Sequence, residues 1–410
     1  MAEYNIHTLK NGIRVIHKEI NYSKITHCGF VLDIGSRDES SAQEGMAHFW
    51  EHMAFKGTKK RKAFHVINRL ETVGGELNAY TTKEKIWFHA SVLSHHFERA
   101  TELLTDITFH SVFPEKEIQK EKNVILEEML MYLDSPEEAI QDEFENIIFK
   151  DHQLGHNILG IPESIESFAQ KDFRKFVKEN MDNERICFTS IGNTPFKEVV
   201  NICEKYFSQI PASKIQKKRT GFKGYKAKNI SLPKPISQAH CIMGHPSFSI
   251  RDNKRIPFFI LVNLLGGMNM TSRLNMSLRE RKGLVYSVEA NYTPFVDTGL
   301  FSVYFGTEKK QVSKSIELIL KEIKTLKEKP LGSLQLHSLK EQVKGQLAIS
   351  EESNINYMQM MGKSLLDFGK IESLGNELKL IDRISAKDLW DLANESLHEN
   401  KFSYLTYLPE

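Results

Sequence analysis

Cysteine is scarce. Cys28, Cys187, Cys203 and Cys241 are far apart in the 410 residues and form no Cys-x-x-Cys pair, which excludes a disulfide framework and a cysteine-based metal or redox motif. They read as reduced, mostly buried thiols. Long apolar runs are missing too: the longest, Ile256 to Leu265, has ten residues and contains Asn263. A membrane-spanning helix needs about twenty, so no membrane association is expected. There is no excess of one charge, with 55 Lys+Arg against 53 Asp+Glu. No bulk field therefore points to nucleic acid. The first twenty residues alternate polar and apolar types, without a basic cluster, apolar core and small-residue cleavage site, so export is not expected and the cysteine usage favours the cytoplasm. What is there, 40% hydrophobic and 26% charged residues, is an ordinary globular composition, long enough for more than one core.

Periodicity predicts strands at Ile13–Ile16 and Thr26–Leu32, helices over Gln43–Phe55 and Ala63–Thr72, a break at Gly74-Gly75, and extended segments at Glu76–Thr81 and Lys85–Val92. Amphipathic helical patterns then run from about His95 to Asn180, punctuated near Pro114, Ser135-Pro136 and Gly160-Ile161-Pro162, and a strand follows at Arg185–Ile191. Residues 213–228 carry seven Lys/Arg, two Gly and no acid, as an exposed interdomain linker would; Phe222 and Tyr225 among the lysines only weakly suggest a nucleic-acid groove. Across that segment the pattern repeats. Lys171-Asp172-Phe173 and Lys387-Asp388-Leu389 stand 216 residues apart, Ile186-Cys187-Phe188 maps onto Phe402-Ser403-Tyr404 at the same offset, and His27-Cys28 and His240-Cys241 are 213 apart. The expected architecture is α+β: two tandem homologous domains, 1–212 and 229–410, each a mixed, largely antiparallel sheet packed with helices.

The chemistry concentrates in His48-Phe49-Trp50-Glu51-His52. On a helix, i and i+4 imidazoles share a face and can converge on a metal, while Glu51 borders that face and can take a proton from water activated there. A catalytic zinc needs a third protein ligand and an open fourth position. The stripe Glu121, Ile125, Glu128 and Tyr132 on a later helix aligns two carboxylates, which make better sense beside a cation than in a dry core, and Glu127 points about 100° away. In the second copy the matching region, Ile256 to Leu265, has no His or carboxylate, so one zinc per chain is expected.

The inverted order His-x-x-Glu-His extends into a longer match. With Gly35-Ser36-Arg37 and Asp38-Glu39 before it, Gly45-Met46-Ala47 through Lys56-Gly57-Thr58 around it, Asn78-Ala79-Tyr80-Thr81 after it, and Leu154-Gly155-His156 and Gly160 later, the chain resembles the pitrilysin and mitochondrial processing peptidase family of inverse zincins over nearly its whole length. The resemblance implies zinc ligands His48, His52 and Glu128, since the family's third ligand lies about 76 positions past the second His. It implies that Glu121 supports the site, orienting His52 or the ligand shell. It also implies that Asn78, Ala79 and Tyr80, a β-prone segment suited to a sheet edge, take a peptide substrate as an added strand.

Arg279 and Tyr286 in the second copy resemble the family's C-terminal Arg and Tyr pair, which would hold the substrate carbonyl and stabilise its oxyanion. The activity implied is zinc-dependent endopeptidase hydrolysis with Glu51 as general base. Family members place two such halves around a chamber, so the resemblance implies a homodimer, or a heterodimer with a related zinc-less subunit. The alternative is a non-catalytic peptide-binding or assembly subunit of the same fold.

Overall fold

The structure, a computed structural model, describes residues 4–215 and 218–410; Gln216 and Lys217 of the basic segment lie outside the described residues. It divides into two compact units. The first comprises the described residues up to Leu130, His156–Arg219 and Ser350–Glu372; the second comprises Met131–Gly155, Thr220–Ile349 and Ser373–Glu410.

The first unit is built on strands β1 (Asn5–Thr8), β2 (Arg14–Glu19), β3 (Ile25–Leu32), β4 (Glu76–Thr81), β5 (Ile86–Leu93) and β6 (Ile186–Gly192), in the order β1-β2-β6-β3-β5-β4. β2 and β6 run parallel and every other neighbouring pair is antiparallel. The second unit has β7 (Asn229–Lys234), β8 (Ala239–Ser247), β9 (Val285–Pro294), β10 (Gly299–Thr307) and β11 (Ser403–Pro409), in the order β7-β11-β8-β10-β9 with the parallel pair at β7 and β11. Apart from β1 the two sheets share one topology. The register repeats as well: Cys28 stands opposite Ser190, and Cys241 opposite Thr406. Those partners are separated by the same 213- and 216-residue offsets that relate the two halves of the sequence. The architecture is the expected α+β pair.

Each sheet is covered on both faces, which is why its central strands are buried along their length instead of alternating. In the first unit Phe30, Phe88 and Phe188 face helices Met46–Ala54 and Phe97–Phe109, with Phe30 edge-on to Phe109 and Trp50 tilted against Phe88. On the other face Tyr357, Met358, Met361 and Leu365 of helix Asn354–Phe368 pack on Ile16, Val31, Trp87 and Ile191. Gly362 permits that approach, because a Cβ there would stand 2.8 Å from side-chain atoms of Val31 and Thr189. In the second unit, helix Arg255–Gly266 fills the place of the His48 helix with Phe258, Leu261 and Leu265. Helix Pro136–Ile148 covers the opposite face through Ile140, Phe144 and Ile147. The compact units are thus not contiguous in sequence. A helix from the first half of the chain completes the second unit's core, and one from the second half completes the first's. An amphipathic stripe reports that a helix is half-buried, not which sheet buries it.

The described residues of the basic segment are exposed or half-buried, as expected of a linker, but three of its side chains are held by the flanking units. Arg219, with a side chain 11% exposed, donates to Asp33 and Asp38 at 2.9 and 2.7 Å and to the Glu84 carbonyl. Phe222 and Tyr225 pack on the second unit's core, Phe222 edge-on to Phe149. Around Arg219, Lys85 bridges Asp33 and Asp367, and Arg185 reaches Asp33 and Asp38. Burial pushes the Asp33 carboxyl up, but Lys85, Arg219 and Arg185 outweigh it and hold its pKa below the ordinary 3.8. A carboxyl depressed in the folded state contributes fully above its ordinary pKa and loses that contribution as pH falls from there through its lower folded-state value. Arg219→Ala should therefore destabilise the first unit by on the order of 2–4 kcal/mol at neutral pH, moderated by the cations left on Asp33. Its urea midpoint should also fall less steeply than the parent's on acidification below about pH 4.

Candidate metal centre

The helix carrying the histidines spans Met46–Ala54, shorter than the sequence suggests, because Gly45 takes a left-handed φ of 91° and sets Ser41–Gln43 apart as a separate 3-10 turn. His48 and His52 lie one turn apart, with Nε2 atoms 3.2 Å from each other. Helix Glu115–Leu133 brings Glu128 to them, its Oε1 3.8 Å from His48 Nε2 and its Oε2 3.5 Å from His52 Nε2. Donors at about 2.0–2.1 Å from a tetrahedral zinc stand about 3.3–3.4 Å apart. Two imidazoles and a carboxylate at these separations therefore fit a zinc ion. Burial, and then the neighbouring His52, push the pKa of His48 down to about 3, leaving a neutral imidazole with a lone pair to donate.

Glu121, on the same stripe as Glu128, accepts from His52 Nδ1 at 3.1 Å and pairs with Lys56 at 2.7 Å. Burial raises its pKa, but His52 and Lys56 more than reverse this and hold the carboxyl below its ordinary range. An ionised acceptor on Nδ1 fixes the tautomer in which Nε2 is free to ligate, the usual service of an outer carboxylate. Glu127 is exposed, as its position predicts.

Glu51 is not among the converging groups. Its Oε2 accepts from the Thr81 hydroxyl at 2.6 Å. Burial pushes its carboxyl above the ordinary range, opposed by Thr81 and His52 and reinforced by Glu128. Sequence reasoning missed Thr81 and Lys56 as partners. Thr81 belongs to a recognisable segment, but only the pleat shows that its side chain falls on the Glu51 face.

Asn78, Ala79 and Tyr80 lie on β4, at the outer edge of the first sheet, one to three residues before Thr81. Arg279 and Tyr286 belong to the second unit. Arg279 sits on the π-helical turn Asn275–Glu280, and Tyr286, 81% exposed, on β9 at that sheet's edge. Among the described residues no other three His, Cys, Asp or Glu side chains converge as His48, His52 and Glu128 do. No helix among them is long and apolar enough to cross a membrane.

The family profile "Insulinase (Peptidase family M16)" matches residues 14–161, and "Peptidase M16 inactive domain" matches 167–343. An uncharacterized zinc protease of Bacillus subtilis strain 168 is 32% identical over 396 residues, 96% of each chain. The chain belongs to peptidase family M16. A second relative, an uncharacterized zinc protease of Rickettsia bellii, is 31% identical over 95% of this chain and 94% of its own. Two solved structures share the fold. A peptidase M16 inactive domain from Pseudomonas fluorescens superposes with a TM-score of 0.92 at 17% identity, covering 99% of this chain and 98% of that one. A protease from Helicobacter pylori superposes at 0.89 and 20%, covering 99% of both. The inactive-domain match falls on the half whose helix Arg255–Gly266 carries no ligand-type side chain.

Glu121→Gln, which keeps the volume but weakens the hold on His52 Nδ1, should lower zinc affinity by on the order of 10- to 100-fold with little change in fold. Competition against a chromogenic chelator, alongside circular dichroism, would measure both.

Proposed function

We propose that the protein is a zinc metalloendopeptidase that hydrolyses peptides or unfolded polypeptide segments. The observation that carries this reading is a carboxylate beside a three-ligand set without belonging to it: Glu51 within a turn of His48 and His52, with Glu128 closing the set. A closed structural site needs no such group. The relatives named zinc proteases support the same metal and activity.

His48, His52 and Glu128 would hold one zinc per chain. When bound, zinc supplies Lewis acidity, polarising a carbonyl and lowering the pKa of water toward neutrality. Glu51 takes the proton as water attacks the scissile carbonyl and passes it to the leaving amine. The Thr81 hydroxyl orients the Glu51 carboxylate, and the raised affinity of that carboxylate for a proton suits a group that must accept one and then release it. The substrate adds as a strand to β4 at Asn78, Ala79 and Tyr80, held largely through main-chain bonds, so extended peptides are favoured over folded proteins. Arg279 and Tyr286 act as donors to the carbonyl oxygen. We place them in a dimer, each protomer supplying the pair to its partner's centre around a shared chamber; the second protomer is a further copy of this chain or a related zinc-less subunit.

Glu51→Gln should retain stoichiometric zinc by metal analysis while cleavage of a quenched fluorogenic peptide library drops by at least about 100-fold. Turnover at the parent rate would remove Glu51 as the base. For the dimer, an inactive Glu51→Gln chain mixed with an inactive Arg279→Ala chain should regain activity through the hybrid centre. Confirmed mixed dimers without recovery would count against a shared site.

A further inference from the structure

Of the two histidines, only His52 is braced by a side chain, through its Nδ1 bond to Glu121. The Nδ1 of His48 is buried without a hydrogen-bond partner. Its Nε2 is therefore placed by packing and by the position of its own backbone. That backbone is gripped one residue earlier. The Glu39 carboxylate, 2% exposed, accepts from the amides of Gly45 at 3.0 Å and Ala47 at 2.7 Å, satisfying donors that the first turn of the His48 helix otherwise leaves unpaired.

The other side of the same turn is fixed by close backbone packing. A Cβ on Gly45 would meet the Leu159 carbonyl at 2.5 Å, one on Gly160 would meet that of Glu44 at 2.4 Å, and Ser164 Oγ donates to the Glu44 carbonyl at 2.6 Å. Glu39 is itself located by its neighbour Asp38, which accepts from the Gly35 amide and from Arg219.

We propose that Glu39 is a positioning residue for the metal centre: by anchoring the first turn of the His48 helix it sets where His48 Nε2 stands relative to His52 and Glu128. Glu121 holds the helix through His52, and Glu39 holds its other end through Ala47. The inference rests on the zinc reading above. Both carboxyl oxygens are engaged at once: burial pushes the Glu39 carboxyl well above its ordinary range, and the Ala47 and Gly45 amides, one on each oxygen, oppose that shift. Glutamine keeps a single acceptor oxygen and turns an NH2 toward the second amide, and aspartate withdraws the carboxylate by one methylene.

The test is zinc affinity, measured by chelator competition on the full chain, with urea unfolding of each metal-free variant. Glu39→Gln should bind zinc on the order of 10- to 100-fold more weakly, with Glu39→Asp between it and the parent. Ile191→Val, a destabilising change in β6, should leave zinc affinity within about twofold of the parent. Should the glutamine variant fail to fold, the aspartate variant carries the comparison. Parent-like affinity in a folded Glu39 variant, or equal weakening in Ile191→Val, would reduce Glu39 to a structural cap and overturn the inference. A parent chain that takes up no zinc would instead overturn the zinc reading, and this inference with it.

Discussion

Two imidazoles and a carboxylate drawn from two helices, held where a single cation can satisfy all three, form the constraint that the first unit is built around. The i, i+4 spacing brings the nitrogens together only if the helix is whole between them, and Glu128 reaches them only if its helix crosses at the right height. Both conditions fall on the backbone. The supporting contacts accordingly grip helix ends and ring orientation: Glu121 on His52, Glu39 on the first turn, Thr81 on the carboxylate beside the ligands.

The second unit shows what the same fold looks like without that constraint. Its sheet repeats the order and register of the first, yet the helix in the equivalent place is filled with Phe258, Leu261 and Leu265. Two copies of one scaffold thus carry different side chains on equivalent helices. Apolar packing suffices to hold that helix to its sheet, whereas the equivalent helix of the first unit presents His48 and His52 to Glu128.

Much of this was legible from the residues. The His and Glu spacings lie on helices whose 3.6-residue period is visible in the chain, so shared faces follow without coordinates. The duplicated offsets predicted equivalent strands, and the paired registers at Cys28 and Cys241 agree with them. The helix start at Met46 was less legible, since the left-handed turn at Gly45 depends on close contact with Leu159 and Gly160 more than a hundred residues away. Arg219 read as one of many exposed lysines and arginines because its carboxylate partners, Asp33 and Asp38, are remote in sequence.

Sequence alone determined the α+β pair, the candidate ligand side chains and the helix face on which each lies, because these depend on local periodicity and on repeats within one chain. Tertiary structure decided which sheet each amphipathic helix covers, which hydroxyl meets Glu51, and what holds the His48 helix in place. Those are contacts between segments distant along the chain, and the chain's local pattern carries the need for a partner without carrying the partner's identity.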